Sequence, residues 1–217
     1  MDTLIDSLEA SLPIQAEGLR IRQLSRPDMD CLSTWPKYPW PYDVFRFSFC
    51  GLSAAEMDRA FKERTQTKTR FTLVVDADEV PAIGYVTLVQ IDWARRRTEN
   101  MSLRIHPEFC GQGLGTRVMM MVRDWWLGHG MKAMRFDVAA TNHRAVRCYL
   151  KAGFVRTGEF WRDAPDLIGK DLSEEKYRFL GNDVDRESGT PRLRFYWMQI
   201  EGGQSAPREP WPIGVSP

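Results

Sequence analysis

The chain has 217 residues, 43% hydrophobic and 27% charged, a composition typical of one globular domain and not of a fibrous or disordered protein. Lys and Arg total 30 against 29 Asp and Glu, so the net charge of +1 gives no reason to expect a nucleic-acid or membrane partner. The four cysteines form no C-x-x-C pair, the first residues lack the pattern of a signal peptide, and no run reaches the ~18 to 20 apolar residues of a membrane span. We therefore expect a cytoplasmic protein without a metal site.

The first half of the chain predicts one strand and two helices before a pair of longer strands. Residues 1–17 are interpreted as an N-terminal extension, and apolar alternation predicts a strand at 19–24. Ser25 as N-cap predicts a helix over 25–35, and the capping box of Ser53 and Glu56 predicts another over 53–66. The aromatic, proline-rich segment 36–52 between them is predicted to be an ordered loop, and strands follow at 69–76 and 81–92.

The second half predicts a strand at 101–107, a helix over 116–130, a strand at 131–140 and a helix over 142–153 with Gly153 at its C-terminal end. Strands are expected at 154–161 and 192–200, separated by an irregular insertion at 162–191, and residues 201–217 are expected to be a flexible tail. Together these elements predict a single α/β (α+β) domain over 18–200, in which a mixed, mostly antiparallel sheet of about seven strands is flanked by helices.

A glycine loop lies between the strand at 101–107 and the following helix. "CGQGLGT" places Gly111, Gly113 and Gly115 at alternate positions, where backbone N–H groups and a helix N-terminus can hold an anion such as a pyrophosphate. The spacing departs from G-x-G-x-x-G, and no Lys follows the glycines as a P-loop requires. The alternative is a tight turn that holds no ligand.

The stretch "LRIHPEFCGQGLGTRVMMMVRDWW", followed by "NHRAVRCYLKAGF", resembles the acetyl-CoA-binding half of the GNAT superfamily of N-acetyltransferases. Its loop is similar to the family pattern [Q/R]-x-x-G-x-[G/A], and the second stretch has the spacing N-x-x-A-x-x-x-Y-x-K-x-G-F. The layout is similar to that of spermidine acetyltransferases and of enzymes that acetylate ribosomal-protein N-termini. The resemblance implies acyl-CoA binding in the cleft between the fourth and fifth predicted strands.

The resemblance also implies roles for individual residues. Tyr149 would return a proton to the leaving CoA thiolate, the alternative being an aromatic side chain packed under the sheet. Asn142 would contact the pantetheine arm, cap its helix, or do both, and Lys151 and Arg147 would meet the 3′-phosphate. The implied donor-binding set is Leu103, Arg104, Ile105, Cys110, Gly111, Gln112, Gly113, Leu114, Gly115, Thr116, Asn142, Ala145, Tyr149 and Lys151.

Two positions depart from the family pattern. Cys110 stands where Gln or Arg is usual, so one side-chain contact to the donor is missing or replaced. A glutamate that often acts as base would fall at Asn100, and Glu99 is one residue off, which aims it at the opposite face unless a bulge intervenes. Glu99 is therefore either the base or a partner of the basic triplet at 95–97.

The acceptor is expected to be a small-molecule or peptide amine, bound by aromatic residues that differ most from the family pattern. The candidates for its pocket are Trp40, Tyr42, Trp93 and Trp161, with core packing as the alternative. The function predicted is acetyl transfer from acetyl-CoA to a primary amine of a small molecule, a polyamine or a protein N-terminus, by direct attack in a ternary complex. The alternative is a non-catalytic acyl-CoA sensor. A homodimer is left open.

Overall fold

The computed structural model describes residues 2–42, 49–186 and 189–203, and within them nine strands form one sheet. The strands are β1 (Ile14–Ala16), β2 (Leu19–Gln23), β3 (Arg70–Ala77), β4 (Val80–Asp92), β5 (Arg97–Ile105), β6 (Ala133–Ala139), β7 (Val155–Asp163), β8 (Val184–Asp185) and β9 (Arg192–Glu201). Their order is β1-β2-β3-β4-β5-β6-β9-β7, and β8 pairs with β9. Every pair is antiparallel except β5 with β6. The mixed, mostly antiparallel sheet is confirmed, and β1 and β8 are two short strands that the sequence did not predict.

Five α-helices flank the sheet in the described part of the chain. They are α1 (Asp2–Ala10), α2 (Arg26–Ser33), α3 (Ala54–Thr65), α4 (Leu114–Gly128) and α5 (His143–Lys151). The capping box at α3 forms as predicted, because the Glu56 carboxylate accepts from the Ser53 amide at 2.8 Å and the Ser53 hydroxyl accepts from the Glu56 amide at 3.4 Å. Gly153 follows α5 with φ of +90°, the left-handed conformation expected after a helix end.

Helices cover the two faces of the sheet unequally. The larger core packs α1, α4 and α5 on one face, with Trp126, Phe136 and Met134 fully buried. The smaller core packs α2 and α3 on the opposite face of β3 and β4, around Met29 and Tyr85. The α2–α3 face of β6, β9 and β7 carries side chains such as Arg135 that pack against other sheet residues.

The segment before residue 18 is folded onto the domain. Leu8 of α1 is completely buried in the larger core, and the Trp125 indole of α4 donates to the Ser11 hydroxyl at 2.7 Å. β1 then adds to the sheet by pairing with β2. The N-terminal extension is thus held against the domain by apolar packing of Leu8 and by a hydrogen bond to α4.

The insertion at 162–191 contains short 3-10 segments at Pro165–Leu167 and Glu175–Asp183 and the strand β8. Tyr177 and Leu180 are buried within it. The part of the expected tail after Gly203 lies outside the described residues, and so does Phe45 of the aromatic loop. Within the described ranges no helix is long and apolar enough to cross a membrane.

A half-buried ion network fixes α2 on the sheet. Arg22 of β2 donates to both oxygens of Asp28 at 2.7 Å and to Asp76 of β3 at 2.8 and 3.0 Å. Burial alone would raise the pKa of Asp28, but hydrogen bonds from Arg22 and Ser25 outweigh it and hold that pKa below its usual range. The aromatic loop therefore begins at a helix that is held in place on the sheet.

Candidate active site

The candidate active site adjoins a wedge between β5 and β6. The two strands pair only through Arg97 with Ala133 and Thr98 with Met134, and then diverge. Because β5 stays paired with β4 and β6 with β9, the divergence opens the sheet itself. Beside it is a cleft of about 420 Å³, a size typical of small-molecule sites. The cleft is lined by Tyr38, Tyr42, Leu103, Arg104, Ile105, Phe109, Cys110, Gly111, Gly113, Gly115, Thr116, Asn142, Arg144, Ala145, Arg147, Cys148, Tyr149 and Lys151.

The glycine loop has the backbone of an anion cradle. Gly111 and Gly113 have φ of +84° and +80°, and Gly113 is the N-cap of α4. The Gly113 carbonyl accepts from the Thr116 amide at 3.1 Å. The N–H of Thr116, which the sequence predicted to face the anion, is therefore hydrogen-bonded within the helix. The N–H groups of Leu114 and Gly115 in the first turn have no partner inside the helix and are directed out of its end. The cradle therefore centres on residues 113–115.

The loop packs closely against β5 and α5. A Cβ on Gly115 would lie 3.4 Å from Cys148 Sγ and 3.5 Å from Leu103 Cδ2, distances that leave space for one methyl group but not for a branched side chain. It would also lie 3.9 Å from Ile105 Cγ1. The side chains of Leu103 and Ile105 therefore point toward the loop, and the intervening Arg104 points to the other face of the sheet.

The edge of β5 offers backbone groups to the wedge. The His106 amide donates to the Ile83 carbonyl at 2.7 Å, and in an antiparallel ladder every second residue bonds the same partner strand. The N–H groups of Leu103 and Ile105 are consequently directed away from β4 and toward the wedge. The Ile105 carbonyl accepts from the Tyr38 hydroxyl at 2.6 Å and from the Cys110 thiol at 3.4 Å. These contacts hold the aromatic loop over the end of β5.

Helix α5 supplies the opposite wall. Asn142 is its N-cap, since Asn142 Oδ1 accepts from the Ala145 amide at 3.2 Å, and Asn142 also lines the cleft. Arg144, which the sequence analysis missed, places its guanidinium 4.0 Å from the centre of the Tyr42 ring. The signal was available: Arg144 lies seven residues before Lys151, and thus on nearly the same helix face.

Tyr149 reaches the cleft from a buried position. Its residue is 6% exposed, and its ring packs edge-on against Phe136, with 4.6 Å between ring centres. Burial raises the pKa of Tyr149 above its ordinary value, so the phenol keeps its proton throughout the neutral range. Aromatic packing and access to the cleft thus coexist in this side chain.

Glu99 and Asn100 do not line the cleft. The Glu99 carboxylate pairs with Arg97 and lies 3.9 Å from Arg135 of β6, and Asn100 Oδ1 accepts from the Met101 amide at 2.7 Å. Arg135 lies on the face of β6 opposite the larger core, so its partner Glu99 also faces the α2–α3 side of the sheet. Met101, two residues later on the same strand, nevertheless enters the larger core. A local irregularity therefore turns the strand here, where Gln90 opposite has φ of +55°. The geometry matches the alternative interpretation, a partner of the basic triplet.

The four aromatic candidates for the acceptor pocket separate in space. Tyr42 lines the cleft, whereas Trp40 is 44% exposed and donates to the Lys176 carbonyl of the insertion at 2.9 Å. Trp93 directly follows β4 at the end that pairs with Arg97, and it packs on Trp126. The other end of β4, which pairs with Ile105 beside the cleft, is about 27 Å away along the strand. Trp161 is 39% exposed on the edge strand β7. Strand direction is the reason that Trp93 and the cleft lie at opposite ends of β4.

Two cysteines and two histidines that could act as nucleophiles or metal ligands are instead partly buried or contact the backbone. Burial raises the pKa of both the Cys110 and the Cys148 thiols, which disfavours a reactive thiolate at either position. His106 Nδ1 accepts from the Glu108 amide, and His129 Nδ1 contacts the Trp125 carbonyl. No group of three or more His, Cys, Asp or Glu that could hold a metal ion occurs in the described ranges.

Comparisons with known proteins agree with this geometry. Residues 33–154 match the Acetyltransferase (GNAT) family. A spermidine N(1)-acetyltransferase from Escherichia coli (strain K12) is 27% identical over 153 residues, covering 70% of this chain and 75% of that protein.

Solved structures share the fold. A chimeric spermidine N-acetyltransferase from Vibrio cholerae has a TM-score of 0.60 and 21% identity, covering 85% of this chain and 96% of that one. The Vibrio cholerae enzyme in complex with CoA and spermine has a TM-score of 0.60 and 19% identity, covering 85% and 95%. At these identities the structures establish the fold alone.

Proposed function

The chain belongs to the GNAT family and is an acetyl-CoA-dependent N-acetyltransferase, and we propose that it moves the acetyl group directly to a primary amine of a small molecule, a polyamine or a peptide. Both substrates would be bound together in the cleft. The observation that carries the proposal is the placement of Tyr149, the glycine cradle and the β5 backbone edge around one cavity.

The cleft suits the acetyl-CoA donor. The unpaired amides at residues 113–115 and the start of α4 would hold the pyrophosphate, since a helix N-terminus favours anions. The exposed Arg147 and Lys151 of α5 would meet the 3′-phosphate. The N–H groups of Leu103 and Ile105 would bind the pantetheine arm and the thioester carbonyl. Asn142 would position that arm while it caps α5.

The thioester supplies an activated acetyl group, which the amine nitrogen takes as a C–N bond forms and the C–S bond breaks. Tyr149 donates its phenolic proton to the departing sulfur, and the raised pKa keeps that proton available. The tyrosine regains a proton from solvent. No protein nucleophile is required, which agrees with the half-buried thiol of Cys148, whose pKa is raised by burial.

The acceptor amine loses its proton to water in this proposal. Among the described residues that line the cleft there is no carboxylate and no histidine. Glu99 is already engaged by Arg97. The rate should therefore rise with pH toward the pKa of the amine itself.

The test is CoA release from acetyl-CoA, detected as free thiol, in the presence of polyamines, amino acids, aminoglycosides and peptides with free N-termini. Release that depends on one class of amine supports the transferase. Tight acetyl-CoA binding without release for any amine would instead support the sensor.

A further inference from the structure

Arg144 connects the two parts of the cleft that would hold the donor and the acceptor. Its guanidinium lies 4.0 Å from the centre of the Tyr42 ring and 5.9 Å from that of Tyr38, both in the aromatic loop. All three side chains line the cleft. The Tyr38 hydroxyl also donates to the Ile105 carbonyl at 2.6 Å, so this stretch of the loop is attached to both β5 and α5.

The positive charge of Arg144 also reaches the glycine loop. Burial raises the pKa of the Cys110 and Cys148 thiols, and the charge of Arg144 opposes that rise in both. Cys110 directly precedes the loop, and Cys148 Sγ would lie 3.4 Å from a Cβ on Gly115 at the other end of the loop. The guanidinium is therefore within electrostatic range of the amides that would hold the pyrophosphate.

The position of Arg144 is unfavourable for α5 considered alone. Asn142 is the N-cap, so Arg144 is the second residue of the helix, where the positive end of the helix dipole repels a cation. The first turn has no acidic residue to offset this repulsion, and the described lining residues of the cleft include no carboxylate. Such a local conflict is typical of a functional site, and a bound anion would relieve it.

We propose that Arg144 couples donor binding to the aromatic loop, with the edge of its guanidinium on the pyrophosphate and its face on Tyr42. This rests on the proposed function and describes how the donor prepares the acceptor side of the same cleft. A guanidinium that lies over a ring keeps its N–H groups in its own plane, so it can donate to a phosphate without leaving the ring. Because such coupling is reciprocal, an ordered loop strengthens donor binding by the same factor as the donor orders the loop.

The first measurement is calorimetric binding of CoA to the wild type, to two single variants and to their double variant. Arg144→Gln should raise the Kd for CoA about 10- to 100-fold, the range for a charged hydrogen bond, and Arg144→Lys should restore part of the loss. Tyr42→Leu should raise the Kd about 3- to 30-fold in the wild type, as loss of a cation–π contact does, but less than about twofold in Arg144→Gln. Arg156→Gln is the matched control: its guanidinium lies 3.8 Å from the Tyr196 ring centre outside the cleft, and the Kd should stay unchanged.

The second measurement is amide hydrogen exchange over residues 34–42, which reports on the loop without requiring turnover. CoA should slow exchange there at least about threefold, and so should dephospho-CoA, which keeps the pyrophosphate. Pantetheine, which lacks the pyrophosphate, should leave the exchange unchanged, and Arg144→Gln should abolish the effect of CoA.

The outcomes separate the coupling from the proposed function. If the wild type binds CoA and Arg144→Gln leaves its Kd unchanged, the role of Arg144 is overturned and donor binding stands. Additive effects of the Tyr42 and Arg144 variants, or loop protection by CoA that persists in Arg144→Gln, would overturn the coupling. A wild type that binds no CoA would overturn both the coupling and the proposed function.

Discussion

Replacing Tyr149 with phenylalanine removes one oxygen and leaves the packing of the ring intact. The ring centre lies 4.6 Å from that of Phe136 and 6.3 Å from that of Phe154, contacts that a phenylalanine preserves. We therefore expect unfolding stability to change by less than about 1 kcal/mol. Loss of a general acid lowers the chemical rate by about 10²- to 10⁴-fold, or roughly 3 to 5 kcal/mol of activation free energy.

The assay is steady-state CoA release combined with calorimetric CoA binding. Tyr149→Phe should lower kcat while the Kd for CoA changes less than about threefold. Tyr196→Phe, which removes the same atom from β9 outside the cleft, is the matched control and should retain activity. Because burial raises the pKa of Tyr149, activity should not fall through phenol ionisation below about pH 10. A Tyr149→Phe enzyme with unchanged kcat under conditions where chemistry limits the rate would refute this role.

Three further predictions concern donor binding, stability and the insertion. Gly115→Val should weaken CoA binding at least about tenfold, because the valine methyl groups would fill the space at the loop. Gly128→Val, where the space is open, is the control and should leave the Kd for CoA unchanged when both are measured by calorimetry. Arg22→Met should lower the free energy of unfolding by about 2 to 3 kcal/mol at pH 7, since it leaves two partly buried carboxylates without their cation, and the exposed Arg26→Met should lower it less. The Asp28 carboxylate of the wild-type protein stabilises the fold above about pH 4 and loses that effect as the pH falls through its lowered folded-state pKa, so urea titrations should show the two proteins converging below pH 4. Trp40→Ala should raise KM for the acceptor more than for acetyl-CoA, because it detaches the aromatic loop from the insertion; equal effects on both would contradict this.

Local signals in the sequence were sufficient for most elements of the fold. The Ser53 and Glu56 capping box, the alternation along β3 and β4, and Gly153 after α5 each act within a few residues, so they could be interpreted without tertiary information. The strand, glycine loop and helix around Gly113 were predictable for the same reason.

The remaining features depend on which strands become neighbours. Glu99 meets Arg135 only because β6 lies beside the start of β5, and a local irregularity turns Glu99 to that side. The outward direction of Arg104 likewise requires the register of β5 with β4. Leu4, Leu8 and Leu12 recur every fourth residue, a helical signal that the interpretation of residues 1–17 as an extension did not use, whereas the burial of Leu8 in the larger core depends on the tertiary fold.

The most direct test of the account is to mix the purified protein with acetyl-CoA and the amine panel, then quantify acetylated amine by mass spectrometry and free CoA by thiol detection. The account predicts that the two products appear one for one, only with an accepted amine, and that the intact protein never gains an acetyl group. Release of CoA without acetylated amine, or an acetylated protein that passes its acetyl group to the amine, would contradict direct transfer in this cleft.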